Sequence, residues 1–480
     1  MGLLLTAGLV TLLQFPRPQQ PLTLDYLVDL ADADDGIIAV TLTLTGRFPD
    51  PLDIAFTTNA PGNSSNRLER LLLAAHHVTG SDGPRTAAVT PIANGWQLSP
   101  TDTDTTTISY SVTLRASGSL EEDIRHHLSA PVHGGLRVTG YDLFVVPRQG
   151  AIERLTVSFA NADAGRLVTP WREDVTYDGS RTYFPADRND LASSLVAWGG
   201  LRREERTVSD CTIRLALDGG WYFTDDELIS LLSRIARAEI EFFGSTPHSS
   251  ILCLVTANPV QARAGFDYYG AHLGHSILLF LDPATSHADL TEKAASVMAH
   301  EMFHGWLGET INQQDPELLW FTEGVTTWNT GRLLVDAFVW TPERATRVLG
   351  KRLDRDYYGS DFIGHKSVSE AMAEVMSDGD TTRFAYAGSS LAAAALDDWL
   401  AQQVSGANSN GHASVHPSVH PSVHPLDDVV RHLYANHAGE VLTRELLEQA
   451  VRDLCGVDCH TWLDRYVYGK ETLPRPESLL

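Results

Sequence analysis

His300-Glu301-Met302-Phe303-His304 places two imidazoles four residues apart with a carboxylate between them, in a chain of 480 residues. An α-helix turns about 100° per residue, so positions i and i+4 lie roughly 40° apart on one face and can grip a single metal ion. Glu301 projects from the neighbouring flank, where it can hold a water on the same ion and take its proton. Zinc in a catalytic site takes three protein ligands and keeps one position open. Glu323, separated from His304 by eighteen residues, in the run Leu318-Leu319-Trp320-Phe321-Thr322-Glu323-Gly324, is the candidate third ligand. The implied chemistry is hydrolysis with one zinc ion, whose bound water is acidified from a pKa near 16 to about 7.

Such a set needs two helices to bring it together. The segment from Ala288 to Leu307 carries Leu290, Val297 and Leu307 among good helix formers, behind the candidate caps Thr285, Ser286 and Asp289. It predicts the helix of the HExxH motif. Asp315-Pro316 reads as the N-cap and first residue of a second helix that carries Glu323. His275-Ser276-Ile277-Leu278-Leu279-Phe280-Leu281, stopped by Asp282-Pro283, has the profile of a strand beside the motif helix, and an extended peptide could pair with its edge. Of the two histidines near its start, His272 reads as structural, whereas His275 is open between a structural and a substrate-contacting role.

These residues resemble the gluzincin zinc metallopeptidases, in which a Glu on a second helix completes the zinc site. His300-Glu301-Met302-Phe303-His304-Gly305-Trp306-Leu307-Gly308 and the interval to Glu323 look like aminopeptidase N, and Trp320 to Gly324 suits either of two branches. Tyr386 to Asp397, Leu426 to Tyr434 and Arg465 to Pro474 are similar to the glycyl aminopeptidase family, with which the chain is placed from about Ser209 to Pro474. The resemblance implies zinc on His300, His304 and Glu323, Glu301 as the base and the Tyr386 phenol as oxyanion donor. It implies peptide or protein substrates lying along Tyr269 to Ser276, with Gly270, Leu273 and His275 as contacts. Two departures follow. The family's C-terminal PDZ module has no room after Pro474, and Gly274 stands where a Glu for the substrate's free amine is expected. Asp267 is the candidate substitute.

Composition sets the outer bounds. Apolar residues make up 43% of the chain, enough for globular folding in two to four domains. A net charge of −25, from 36 basic and 61 acidic side chains, disfavours nucleic-acid partners by repulsion. Met1 to Leu13 is apolar like a signal-peptide core but lacks the basic start, and is too short for a convincing membrane span. This tilts the expectation to an extracytoplasmic chain and leaves the oligomeric state open. Four cysteines do not make a disulfide scaffold. Cys211 and Cys253 fall in strand-like runs as buried thiols, while Cys455 and Cys459 could pair, bind metal with His460, or stay free.

The patterning predicts a multidomain α+β chain. After a possible signal segment at 1–20, residues 21–205 alternate apolar and polar positions in short runs, as in Ile38 to Leu44 and Leu155 to Phe159, and predict a β-rich N-terminal domain. Residues 206–340 mix strands near 211–217, 251–256 and 276–281 with a helix from Asp225 to Phe243. They fit a thermolysin-like zinc metallopeptidase domain. Residues 341–480 predict a helical C-terminal domain, interrupted at 405–425 by a low-complexity insertion with three Ser-Val-His-Pro copies, in which regularly spaced prolines forbid a helix. Its histidines at 412, 416, 420 and 424 suggest metal binding, but ordering a free loop opposes a site there. The leading function is a zinc metallopeptidase, an aminopeptidase with altered terminal recognition. The alternatives are an endopeptidase on the same scaffold and a noncatalytic zinc-containing binding protein.

Overall fold

The computed structural model describes residues 21–480 apart from 34–35, 47–50, 58–73, 81–88, 93–94, 100–104, 114–127, 162–165, 178, 259–267, 376 and 410–422. The possible signal segment, Asp267 and the histidines at 412, 416 and 420 therefore lie outside the described residues.

The N-terminal part is all sheet with short helical turns. Leu22–Asp29 pairs parallel with Ile152–Ala160 and antiparallel with Ile37–Thr45. Along the first strand Leu22, Leu24, Tyr26 and Val28 are buried while their neighbours are not, as period-two alternation requires. The facing residues of Ile37–Thr45, namely Ile38, Val40, Leu42 and Leu44, close on them. Two four-stranded sheets complete this part, one built around Leu52–Phe56 and one around Leu195–Trp198. They share one core with Trp96, Tyr110, Phe144 and Trp171.

A five-stranded sheet follows. Cys211–Leu217, Ser250–Ala257 and Ser276–Leu281 run parallel, and Tyr269–Leu273 returns antiparallel along the last of them to form an edge. Asp225–Phe243 packs on one face. Its ends are set by local chemistry: Thr224 and Glu227 form a reciprocal capping box, and Gly244 stops the helix at φ 84°. The opposite face carries Leu252, Leu254, Leu278 and Phe280, and buries them against Leu195 and Ala197 of the N-terminal part.

Helical structure then runs from His287 to Phe303, begun by a Ser286–Asp289 capping box and passing through one π turn at Leu290–Ala294. It ends sooner than the expected Leu307, because Gly305 and Trp306 leave the helix in tight turns and Leu307 joins a short strand. Asp315 accepts from the Glu317 amide with Pro316 behind it, and starts the turn that leads into Leu319–Asp336. That helix crosses the long helix Gly379–Ser409 at Gly324, where any Cβ would collide with the Ser389 carbonyl. The sheet and the C-terminal helices share a continuous core.

His424, the described histidine of the insertion, donates Nδ1–H to the Asp397 carboxylate at 2.8 Å and lies edge-on to Trp328, just before the helix Pro425–Asn436. It closes a helix junction. All four cysteines are free thiols, with burial raising Cys211 and Cys455 to about 11 and Cys253 and Cys459 to about 12. No helix among the described residues is long and apolar enough to cross a membrane.

Candidate metal centre

The helix Ala295–Phe303 buries Met298, Ala299, Met302 and Phe303 and turns His300 and His304 towards the helix Leu319–Asp336. Phe303 is wedged in place: its ring and that of Trp306 both lie 5.0 Å from the Phe243 ring. The His304 and His300 Nε2 atoms are 3.1 Å apart. Glu323 Oε2 is 3.2 Å from His300 Nε2 and 3.6 Å from His304 Nε2. His304 Nδ1 lies 3.1 Å from the Leu307 carbonyl, which can only accept, so the proton sits on Nδ1 and Nε2 presents its lone pair. Thr327 Oγ1, 3.5 Å from His300 Nδ1, approaches the corresponding nitrogen of the other ring.

Two nitrogens and a carboxylate oxygen thus converge, with the far nitrogen of each ring in contact with a neighbouring oxygen, the arrangement by which proteins orient imidazole ligands of metals. The electrostatics agree. Burial alone would push the His304 imidazole down, yet Glu323 and then Glu301 raise it to about 9. Burial would raise the Glu323 carboxyl, but His304 and His300 hold it well below the usual carboxylate range. The pocket therefore favours positive charge at the point where the three donors meet, and its two imidazoles and one carboxylate are a donor set that zinc takes.

Gly270, on the edge strand, faces Glu301 so closely that any Cβ there would strike the Glu301 side chain. Tyr386, from the long helix, brings its ring centroid to 6.2 Å from that of His300. The Glu323 charge, burial and Glu301 together hold the phenol well above its usual value of 10, so it stays an O–H donor. The other expected substrate contacts go elsewhere. Leu273 is 1% exposed and packs in the core between the sheet and the N-terminal part. His275 packs against His248 with ring centroids 3.7 Å apart and lies 3.5 Å from Asp190. Gly274 adopts φ 56°, and a side chain there would collide with Ser193. His272 donates Nδ1–H to the Glu301 carbonyl at 2.9 Å. The Leu307 carbonyl and Thr327 were not singled out in the sequence, since a carbonyl is common to every residue and a threonine has no signature.

Residues 244–377 match the Peptidase family M1 domain. Aminopeptidase M1-D of Oryza sativa subsp. japonica is 31% identical over 106 residues, which is 21% of this chain and 12% of that protein. The chain thus spans only a small part of the length of this curated relative. An aminopeptidase N family protein from Idiomarina loihiensis superposes with a TM-score of 0.73 at 17% identity, over 94% of this chain and 77% of that one. An M1 zinc metallopeptidase variant from Deinococcus radiodurans, solved with a Tyr-Ser-Ala substrate, gives 0.60 at 14% identity over 96% and 98%. The fold is that of two-domain M1 metallopeptidases, and the likeness to gluzincin aminopeptidases is borne out, with the named relatives on the aminopeptidase M1 and N side.

Proposed function

We propose that this chain, which carries a peptidase family M1 domain, is a zinc-dependent metallopeptidase that hydrolyses peptide bonds, as an aminopeptidase with altered recognition of the substrate's N-terminus. One zinc ion would be held at this centre by His300, His304 and Glu323. The observation that carries the reading is the meeting of the two Nε2 atoms and Glu323 Oε2 at 3.1 to 3.6 Å beside Glu301 and Tyr386. Bound there, zinc supplies Lewis acidity, lowering the pKa of water to about 7 and polarising a carbonyl.

The chain's own groups do the rest. Glu301, fixed against the edge strand at Gly270, takes a proton from the attacking water as its oxygen bonds the peptide carbon. Tyr386 donates its O–H to the carbonyl oxygen as negative charge builds there. Glu301 then returns the proton to the leaving nitrogen as the C–N bond breaks, so the carboxylate is regenerated. The edge strand Tyr269–Leu273 offers backbone groups to an extended peptide.

Altered terminal recognition is supported at Gly274. A Glu expected there has no equivalent side chain, and the φ of 56° together with Ser193 leaves no space for one. The same feature favours the second reading, an endopeptidase, in which no free amine is gripped. Cleavage of paired peptides, free or acetylated at the amine, tests both, with Glu301→Gln as control. We expect cleavage of free peptides and a fall of about 10²- to 10⁴-fold in the variant, the usual worth of a general base. Equal cleavage of blocked peptides would select the endopeptidase, and a zinc-loaded protein inert to every peptide would remove both.

A further inference from the structure

Beneath the motif helix lies a second cluster of histidines and carboxylates that the peptidase reading leaves unused. His248 Nε2 is 2.9 Å and His272 Nε2 2.8 Å from the same oxygen, Oε2 of Glu309. His275 packs against His248 with the rings tilted by 37°, and ligand atoms of His248, His275 and Glu309 all lie within 4.8 Å of one another. We propose that His248, His275 and Glu309 bind a second divalent transition-metal ion of the zinc class, at the junction of the N-terminal part with the catalytic sheet.

The donor set repeats that of the first centre, two imidazoles and one carboxylate, which suits zinc and its neighbours rather than calcium or magnesium. Orientation supports it. His275 Nδ1 points to Asp190, whose carboxylate is itself fixed at 2.7 Å by the Ala186 amide and at 2.7 Å by Ser194 Oγ. A carboxylate on one ring nitrogen leaves the other, Nε2, as a lone-pair donor and strengthens it as a ligand. Glu309 is oriented in turn by His272. Because the Glu301 carbonyl can only accept, His272 carries a proton on Nδ1, and its Nε2 faces a carboxylate that also can only accept. The contact of its Nε2 with Oε2 at 2.8 Å holds the Glu309 side chain in place.

Shelter from solvent points the same way. The side chains of His248 and His272 are 9% exposed, Asp190 6%, His275 22% and Glu309 26%. Two sheltered carboxyl groups, Asp190 and Glu309, meet three imidazoles here. Carboxylates sheltered from water in proteins are paired or hold metals, and an ion between His248, His275 and Glu309 would satisfy them. Through His272 it would also brace the Glu301 carbonyl, and through Asp190 the N-terminal helix Arg188–Ser193.

The test is metal content per chain, measured by mass spectrometry after stripping the full-length protein, reloading it with Zn²⁺ and dialysing. We expect two ions in the wild type, one in Glu309→Gln and one in His300→Ala. A wild-type count of one that Glu309→Gln leaves unchanged, or of two that it leaves unchanged, overturns the proposal. A count of one that vanishes in Glu309→Gln and survives in His300→Ala would uphold this cluster and sink the catalytic-zinc reading instead, so the two failures are distinct. Thermal melting guards against misfolding. Added Zn²⁺ should still raise the midpoint of His300→Ala, and should not raise that of the His300→Ala, His248→Ala double variant. Equal rises in both would overturn the assignment.

Discussion

Tyr386 is the residue whose contribution can be isolated most cleanly, because a phenylalanine keeps its ring against His300 and removes only the O–H. Loss of one preorganised donor to a developing oxyanion costs about 10²- to 10³-fold in kcat. Tyr386→Phe should show that fall with unchanged zinc content, read from steady-state rates and metal analysis. A tyrosine with a merely structural role would leave kcat near the wild-type value on substitution. At this scale much was legible beforehand. The His300–His304 spacing follows from helix geometry, and Asp315-Pro316 announces the start that brings Glu323 round. Leu273 was not legible in the same way: whether a residue of a short edge strand faces cleft or core depends on its pairing, here with Ser276, and one step of register reverses the answer. His248 and Glu309 meet across 61 positions of chain, a separation over which no local pattern extends.

Elements carry a different kind of signal. The helix Asp225–Phe243 was readable to its ends because apolar spacing, a capping box and Gly244 agree. Its one discordant residue is Glu239, 0% exposed, with neither carboxyl oxygen partnered among the described residues. Burial holds this carboxyl well above its usual value. The folded chain therefore keeps a proton that the unfolded chain releases above pH 4.3 or so. Stability is thus highest below that point and declines as pH rises towards the folded value, with a slope of about 1.4 kcal/mol per pH unit within the window. Glu239→Gln abolishes this contribution. Melting curves should place the variant level with the wild type at pH 4 and above it at pH 8, the gap widening between; a constant gap would mean that Glu239 finds a partner and ionises. The C-terminal helices were legible as helices, but the reach of Gly379–Ser409 was not, since its alanine-rich stretch has apolar residues on every side and gives no periodic edge.

At the scale of the whole molecule, the catalytic sheet has no free face. One side is covered by Asp225–Phe243 and the motif helix, the other by the N-terminal part through Leu195, Ala197 and Val132 against Leu252, Leu254, Leu278 and Phe280. The seam is also hydrogen-bonded, with the Leu195 amide donating to Ser276 Oγ at 3.1 Å inside it, and Arg137 lies over the Phe280 ring at 5.4 Å. The edge strand that faces Glu301 hangs from this same sheet, so the N-terminal part holds one wall of the cleft in place. Sequence could divide the chain by a change of pattern near residue 206, yet could not reveal this, because sheets covered on both faces read as plain apolar runs whatever covers them. Residues 206–480 produced alone would expose that apolar face to water, where contiguous patches promote association. We expect this fragment to bind a hydrophobic dye and sediment as aggregates under conditions that keep the full chain dispersed. A fragment that stayed monomeric, bound no dye and cleaved peptides at the full-length rate would show that the N-terminal part is dispensable to the cleft.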